Sequence, residues 1–423
     1  MDNTQDPEDT QMTLEGRTIE DWTFSKADTQ YLTHGLHPYP ARMIPQIARR
    51  LINRYSSPNE IVLDPFCGSG TVLVESKLLG RNVIGNDINP LGILLAKVKT
   101  TLINLKVLDE WVASFLNDIE NDMYLLQENK LDIESPNFPN IRHWFKENII
   151  KELAVIKKHI DLINDVDVHD FAKVCFSLTV RKVSNIYNVG DTFIKRLSDK
   201  ALKKHKPNVL STFKTVVIES EQRMRDFYQE CESHSFNTYV KITSEDTRKL
   251  SLADETVDLI VTSPPYGEEK NTISYTRWSK LSSLWLGYQP EVIRAIEKIS
   301  LGARQQTDDI PSETLRSILN EVLKIDRNLV RDASSFFIDY KRCLEQLYRV
   351  LRKNSYCCIV IGNRSLKQRR VPMDIVTAEF ADAIGFKHVI THHREIPTKA
   401  IPWTVAKGET ISAESIIVLQ KIG

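Results

Sequence analysis

The sequence predicts an α/β fold on an open, mostly parallel sheet, and three observations predict it. Strand-like and helix-like runs alternate in two blocks, from about residue 33 to 99 and from about 239 to the end. A Gly-rich string, Asp64-Pro65-Phe66-Cys67-Gly68-Ser69-Gly70-Thr71, follows the buried run Glu60-Ile61-Val62-Leu63. A second string, Thr262-Ser263-Pro264-Pro265-Tyr266-Gly267, follows Val257-Asp258-Leu259-Ile260-Val261.

The elements follow in order. Residues 44–55 read as an amphipathic helix, 61–63 as a strand, 71–79 as a helix and 82–85 as a second strand. In the second block, strands are expected at 239–242, 257–261, 356–361, 387–392 and 415–419. No helical pattern joins the last two, so an antiparallel hairpin is expected at one edge of a seven-stranded sheet. Between the blocks, residues 100–236 are rich in helix formers and poor in Gly, and a smaller helical insertion is expected over 290–332. The catalytic domain is therefore assigned to 21–99 and 237–423, with residues 1–20, acidic and polar, as a disordered tail.

Composition narrows the function classes. The 423 residues hold 56 basic and 56 acidic side chains and are 41% hydrophobic. Such a balance gives no global positive field, so any nucleic-acid surface is local. The six cysteines form no C-x-x-C pair, which speaks against a zinc site or a disulfide framework. Neither an apolar targeting core nor a stretch of roughly 20 apolar residues is present, and a cytoplasmic protein without membrane or metal is expected.

The Gly-rich string sits where a parallel strand passes into a helix, so backbone N–H groups and the helix dipole face a ligand. Gly68 and Gly70 permit close approach. No G-x-G-x-x-G pattern and no Walker lysine is present, so phosphate binding is not favoured. Asp87, just past the second strand, is placed to accept from ribose hydroxyls. In the second string, the Ser263 hydroxyl and the Pro264 carbonyl can each accept one hydrogen of an aromatic amine. The nitrogen lone pair is thereby turned toward an electrophile. Pro264 and Pro265 hold the acceptors still, and positioning of this kind contributes about 7–11 kcal/mol of barrier lowering. Tyr266 can stack on a base swung out of a duplex.

Together the two strings resemble those of the amino-group DNA methyltransferases, which move a methyl group from S-adenosyl-L-methionine to the exocyclic nitrogen of cytosine or adenine. The resemblance implies a Rossmann-like class I methyltransferase fold. It implies that Asp64, Phe66, Gly68, Gly70 and Thr71 wrap the methionine part of the cofactor, and that Asp246 meets the adenine amino group, although an Asp there also suits a helix N-cap. Thr33–Met43, with His37, Pro38, Tyr39 and Arg42, is similar to the family segment that closes over the methionine end. Ser before Pro-Pro-Tyr goes mostly with N4-cytosine enzymes, which makes Ser263, Pro264, Pro265 and Tyr266 the catalytic turn. N6-adenine methylation is the alternative. Guanine-N2 methylation of transfer RNA is disfavoured, because those enzymes usually carry an N-terminal RNA-binding domain. A silent DNA-binding scaffold is disfavoured by the intact strings.

The implied partners are double-stranded DNA and a cognate restriction endonuclease. For phosphate contact the densest basic stretch, residues 194–206, offers Lys195, Arg196, Lys203 and Lys204, which would otherwise form a solvated helix face. Arg181 and Ser184 lie in a segment similar to one in relatives of this layout. Arg364 and Arg369 follow the strand at 356–361 on the side where open α/β sheets bind ligands. Arg394, Lys399 and Trp403 fall between the last two strands. Relatives usually hold their base-reading region in one block between the cofactor and catalytic halves or at a chain end. Here the large insertion interrupts the strands, so its role in recognition is inferred.

Overall fold

The computed structural model describes residues 11–14, 17–187, 194–234, 236–269, 272–396 and 413–423. Seven strands form the central sheet: β1 (Ile61–Asp64), β2 (Asn82–Asn86), β3 (Val240–Thr243), β4 (Val257–Thr262), β5 (Leu351–Gly362), β6 (Phe386–Glu395) and β7 (Ala413–Lys421). Their spatial order is β6-β7-β5-β4-β1-β2-β3. The five strands from β5 to β3 are parallel, while β7 runs antiparallel to both β5 and β6. The edge hairpin expected from the sequence is therefore present. Chain order reverses between β1 and β4, so the two motif-bearing turns emerge side by side at the switch point.

Strand alternation divides the core in two. Val62, Val83, Leu259, Cys358 and Val418 point to one face, against Ile47 and Leu51 of α1 (Pro45–Tyr55) and Val72 of α2 (Thr71–Leu78). Their neighbours Leu63, Ile84, Ile260, Cys357 and Leu419 point to the other face, against Phe336, Tyr340 and Phe380 from two late helices. A sheet covered on both faces explains why its strands read as near-continuous apolar runs.

The next helix, α3 (Pro90–Thr100), leads from β2 into the large insertion, whose main helices are α4 (Leu105–Gln127), α5 (Glu147–Asp161), α6 (Val166–Val183), α7 (Asp199–Lys204) and α8 (Val209–His234). Their apolar faces make a third core around Phe115, Phe171 and Phe213. It also takes in Leu94 and Leu95 of α3, and Trp278 and Trp285 of α9 (Tyr275–Trp285). The insertion thus packs on α3 and α9. After α9 come α10 (Pro290–Ile299), α11 (Glu313–Leu323), α12 (Arg327–Val350) and α13 (Met373–Ile384).

Three expectations change. Within the tail expected to be disordered, Gln11–Leu14 and Arg17–Glu20 pair as antiparallel strands. β5 begins five residues earlier than expected, because the backbone continues to pair with Val257 although Arg352, Lys353 and Asn354 are exposed. The basic cluster after β5 is a hairpin, Arg364–Leu366 with Arg369–Val371, turned by Lys367 and Gln368 at positive φ. Among the described residues no helix is long and apolar enough to cross a membrane.

Candidate active site

A single cleft opens at the carboxyl ends of β1, β2 and β4. Tyr39, Arg42, Asp64, Phe66, Gly68, Thr71, Asp87, Asp246, Ser263 and Pro265 all line it. The turns after β1 and β4, apart by nearly two hundred residues in sequence, are thus joined in space.

The β1 turn is shaped by two left-handed glycines, Gly68 at φ 49° and Gly70 at φ 85°. Gly70 caps the start of α2, and a Cβ on it would stand 2.9 Å from Ala96 Cα. A Cβ on Gly68 would stand 3.0 Å from the Tyr39 ring. Behind this turn, Asp64 Oδ1 accepts from Phe66 N at 3.1 Å and from the Thr262 hydroxyl at 2.7 Å. Burial pushes the Asp64 carboxyl up to about 7 against those two donors. Asp87 accepts from Gly68 N at 2.8 Å and Asn89 N at 2.7 Å, and burial outweighs these bonds to raise its pKa.

Asp246 is the helix N-cap that its position suggested, and it also borders the cleft. It lines the cleft, and it caps a one-turn helix (Thr247–Lys249) by accepting from Arg248 N at 3.0 Å. Partial burial pushes its pKa up, but the Arg248 guanidinium at 2.7 Å wins and holds it below the ordinary range.

The His34–Arg42 segment is pinned from beneath. Glu75 of α2, fully buried, accepts from His34 Nε2 at 2.6 Å and Arg49 Nε at 2.7 Å. Arg42 donates to the His34 carbonyl at 2.5 Å. His37 lies outside the cleft wall: its Nδ1–H donates to the Pro38 carbonyl at 2.7 Å and its Nε2 accepts from Ser177 of α6 at 3.0 Å. Burial lowers its pKa to about 3, so it is neutral, and its ring lies edge-on to Trp278. Pro38 and Gly70 are likewise not among the residues that line the cleft.

Of the β4 turn, Ser263, Pro265 and Gly267 reach the cleft. The partly buried Tyr266 ring packs against the core that holds Phe336 and Tyr340, its hydroxyl 3.4 Å from Ser263 Oγ.

Sequence reasoning missed one wall. Glu269, Tyr275, Thr276, Ser300 and Leu301 also line the cleft. The Glu269 carboxylate accepts from Thr276 N at 2.5 Å, Thr276 Oγ1 at 3.0 Å and Ser300 Oγ at 3.0 Å, which ties it to the start of α9 and the end of α10. Tyr275 stacks on Tyr39, centroids 6.1 Å apart. The available signal was an acid two residues beyond the Pro-Pro-Tyr-Gly string.

The DNA candidates divide sharply. Lys195, Lys203 and Lys204 are exposed, and Arg196 is half-buried, donating to the His143 carbonyl at 3.1 Å. Arg369 is exposed and paired with Glu321 at 2.9 Å. Three placements are corrected. Arg181 is 0% exposed, its guanidinium 3.8 Å from the Trp278 ring centroid and donating to the Trp278 carbonyl at 2.8 Å. Ser184 is buried and donates to the Arg181 carbonyl at 2.8 Å. Arg364 is buried in an ion pair with Glu268 at 2.9 Å, because hairpin alternation turns positions 364 and 366 inward. Lys399 and Trp403 lie outside the described residues.

The cleft fits a nucleoside-sulfonium cofactor. The buried Ser69 Oγ and Thr71 Oγ1 have no hydrogen-bond partner among the described residues, and both residues face the cleft. Asp87 lies just past β2, where a ribose would lie.

Comparison with known proteins agrees. Residues 3–97 match the family model described as DNA methylase, of the N6/N4 type. Type II methyltransferase M.MvaI of Kocuria varians is 31% identical over 417 residues, which cover 94% of this chain and 92% of the relative. Type II methyltransferase M.BsoBI of Geobacillus stearothermophilus is 22% identical over 86% of this chain and 80% of its own. Among solved structures, a SAM-dependent methyltransferase from Methanosarcina mazei aligns at 11% identity over 88% of this chain and 96% of its own, with a TM-score of 0.32.

Proposed function

The chain belongs to the amino-group DNA methyltransferases, which depend on S-adenosyl-L-methionine, and on that premise we propose that it methylates the exocyclic N4 amine of cytosine in double-stranded DNA. The observation that carries this reading is that Ser263 shares one cleft with Asp64, Gly68 and Asp87. A serine, not an acid or an amide, stands before Pro-Pro-Tyr.

When bound, the cofactor supplies an electrophilic sulfonium methyl. Asp64 and the backbone of the Gly68 turn would hold its methionine end, Asp87 its ribose, and Asp246 its adenine edge. The Ser263 hydroxyl and the Pro264 carbonyl each accept one hydrogen of the cytosine amine and orient its lone pair. Tyr266 forms one side of the pocket for the extruded base. Lys195, Lys203 and Lys204 contact DNA phosphates, with Arg196 and Arg369 as flanking contacts. A cognate endonuclease cutting the same site completes the system.

Expression in a methylation-free host, followed by single-molecule sequencing of the genome, tests this. The expected product is N4-methylcytosine at one short recurring motif. N6-methyladenine at such a motif would overturn the cytosine assignment and leave the family membership standing.

A further inference from the structure

The Tyr266 hydroxyl is tethered from outside the catalytic turn. It donates to Glu414 Oε1 at 3.1 Å, across 148 residues of sequence. Glu414 lies at the start of β7, opposite Gly362 of β5 on one side and Arg394 of β6 on the other. Arg394 Nε stands 3.6 Å from Glu414 Oε2, and the Arg394 side chain is 5% exposed. Phenol, carboxylate and guanidinium thus form a row at the ligand-binding end of the sheet, beginning 3.4 Å from Ser263 Oγ.

The Pro-Pro backbone is stiff, but it does not fix the two side-chain torsions of the tyrosine that follows it. A bond at the far end of the ring removes that freedom. A guanidinium as buried as that of Arg394 needs an anion beside it, and Glu414 supplies it. The same contact fixes the carboxylate in place. Burial, with Glu414 adding to it, pushes the Tyr266 pKa far up, so the phenol remains a donor.

We propose that Glu414 is the positioning residue for the target base: it sets the plane of the Tyr266 ring against which the extruded base rests, and Arg394 sets Glu414. Neither touches the reacting atoms. The inference rests on the reading of Ser263–Tyr266 as the amine-presenting turn. An ordinary ion pair between neighbouring strands would affect stability alone.

A double-mutant cycle on the full chain tests it, with Tyr266→Phe, Glu414→Leu and the combination. Single-turnover transfer of labelled methyl to DNA carrying the mapped site is read alongside cofactor binding. Each single variant is expected to slow transfer about tenfold with cofactor affinity unchanged, and the combination to be no slower than the worse single variant. Glu414→Gln keeps a carbonyl acceptor for the hydroxyl and is expected to be faster than Glu414→Leu. Multiplying losses, a wild-type rate in Glu414→Leu, or a Gln variant as slow as the Leu variant would each overturn the proposal. Should Glu414→Leu not fold, Tyr266→Phe decides: a slowed rate at unchanged cofactor affinity supports the tether, and a wild-type rate overturns it. Full turnover in Tyr266→Ala would instead bring down the reading of the turn itself. An inactive Tyr266→Ala with an additive cycle would bring down only the role of Glu414.

Discussion

The Thr262 hydroxyl donates to Asp64 Oδ1 across 2.7 Å, so the last residues of β4 and β1 share a buried hydrogen bond where both functional turns begin. The bond couples the turn after β1 to the turn after β4 through one carboxylate. Thr262→Val keeps the shape and removes the donor, leaving the buried oxygen only the Phe66 N–H. Loss of a donor to a buried acceptor costs about 1–3 kcal/mol. A lower melting temperature and a fall in methyl transfer are expected together. Calorimetry with a single-turnover assay checks this; an unchanged melting temperature would deny the coupling.

Asp64 also sets a pH dependence. Burial raises its folded pKa to about 7, above the ordinary carboxylate value. A raised folded pKa means that the folded chain holds its proton more tightly than the unfolded chain. The stabilisation is therefore fully present below the ordinary carboxylate range and is lost as pH rises through about 7. Thermal melts of the cofactor-free chain at pH 5.5 and 8, compared with Asp64→Asn, isolate this group. The wild type is expected to lose more stability on alkalinisation than the variant. Parallel losses would show that Asp64 ionises freely.

The two glycines of the β1 turn should fail differently. At Gly70 an added methyl meets the α3 backbone at 2.9 Å, which cannot yield. The left-handed conformation alone costs a non-glycine residue about 1–2 kcal/mol. At Gly68 the obstacle is the Tyr39 ring at 3.0 Å, which can move, but Tyr39 is itself part of the cleft wall. Gly70→Ala is thus expected to cost more stability, and Gly68→Ala to cost proportionally more cofactor affinity. Scanning calorimetry and titration calorimetry separate the two, and a reversed order would contradict the geometry.

Much of this arrangement is legible in the chain because parallel strands announce themselves. Val62 and Leu63, or Leu259 and Ile260, are apolar on both faces, and each run ends in a turn of unusual composition. Glu269 and Tyr275 are harder to read: their place in the cleft depends on bonds from Glu269 to Thr276 and Ser300, and beyond the acid itself no local pattern encodes those contacts. Arg181, taken from a segment similar to one in relatives, and Arg364, taken from a basic cluster after a strand, are both buried, although arginine is seldom fully buried without a partner. Trp278 in one case and Glu268 in the other make the interior tolerable, and both partners are distant in sequence. The alternation Arg364-Ser365-Leu366 was a signal that one arginine faces inward.

That distinction between exposed and buried cations gives a last test. Lys203 and Lys204 are exposed at the end of α7. If they meet phosphates, replacing both with Gln should weaken binding to every DNA sequence alike. The slope of log affinity against log salt should fall by about 0.9 per lost contact. Arg181→Met should do the reverse. It removes a cation–π contact worth about 0.5–2 kcal/mol and takes a donor from the Trp278 carbonyl. The melting temperature should drop while the salt slope stays as in the wild type. Electrophoretic mobility shifts over a salt series, with melts of the same preparations, read both quantities. A salt slope altered by Arg181→Met in a fully folded variant would return that arginine to the DNA surface.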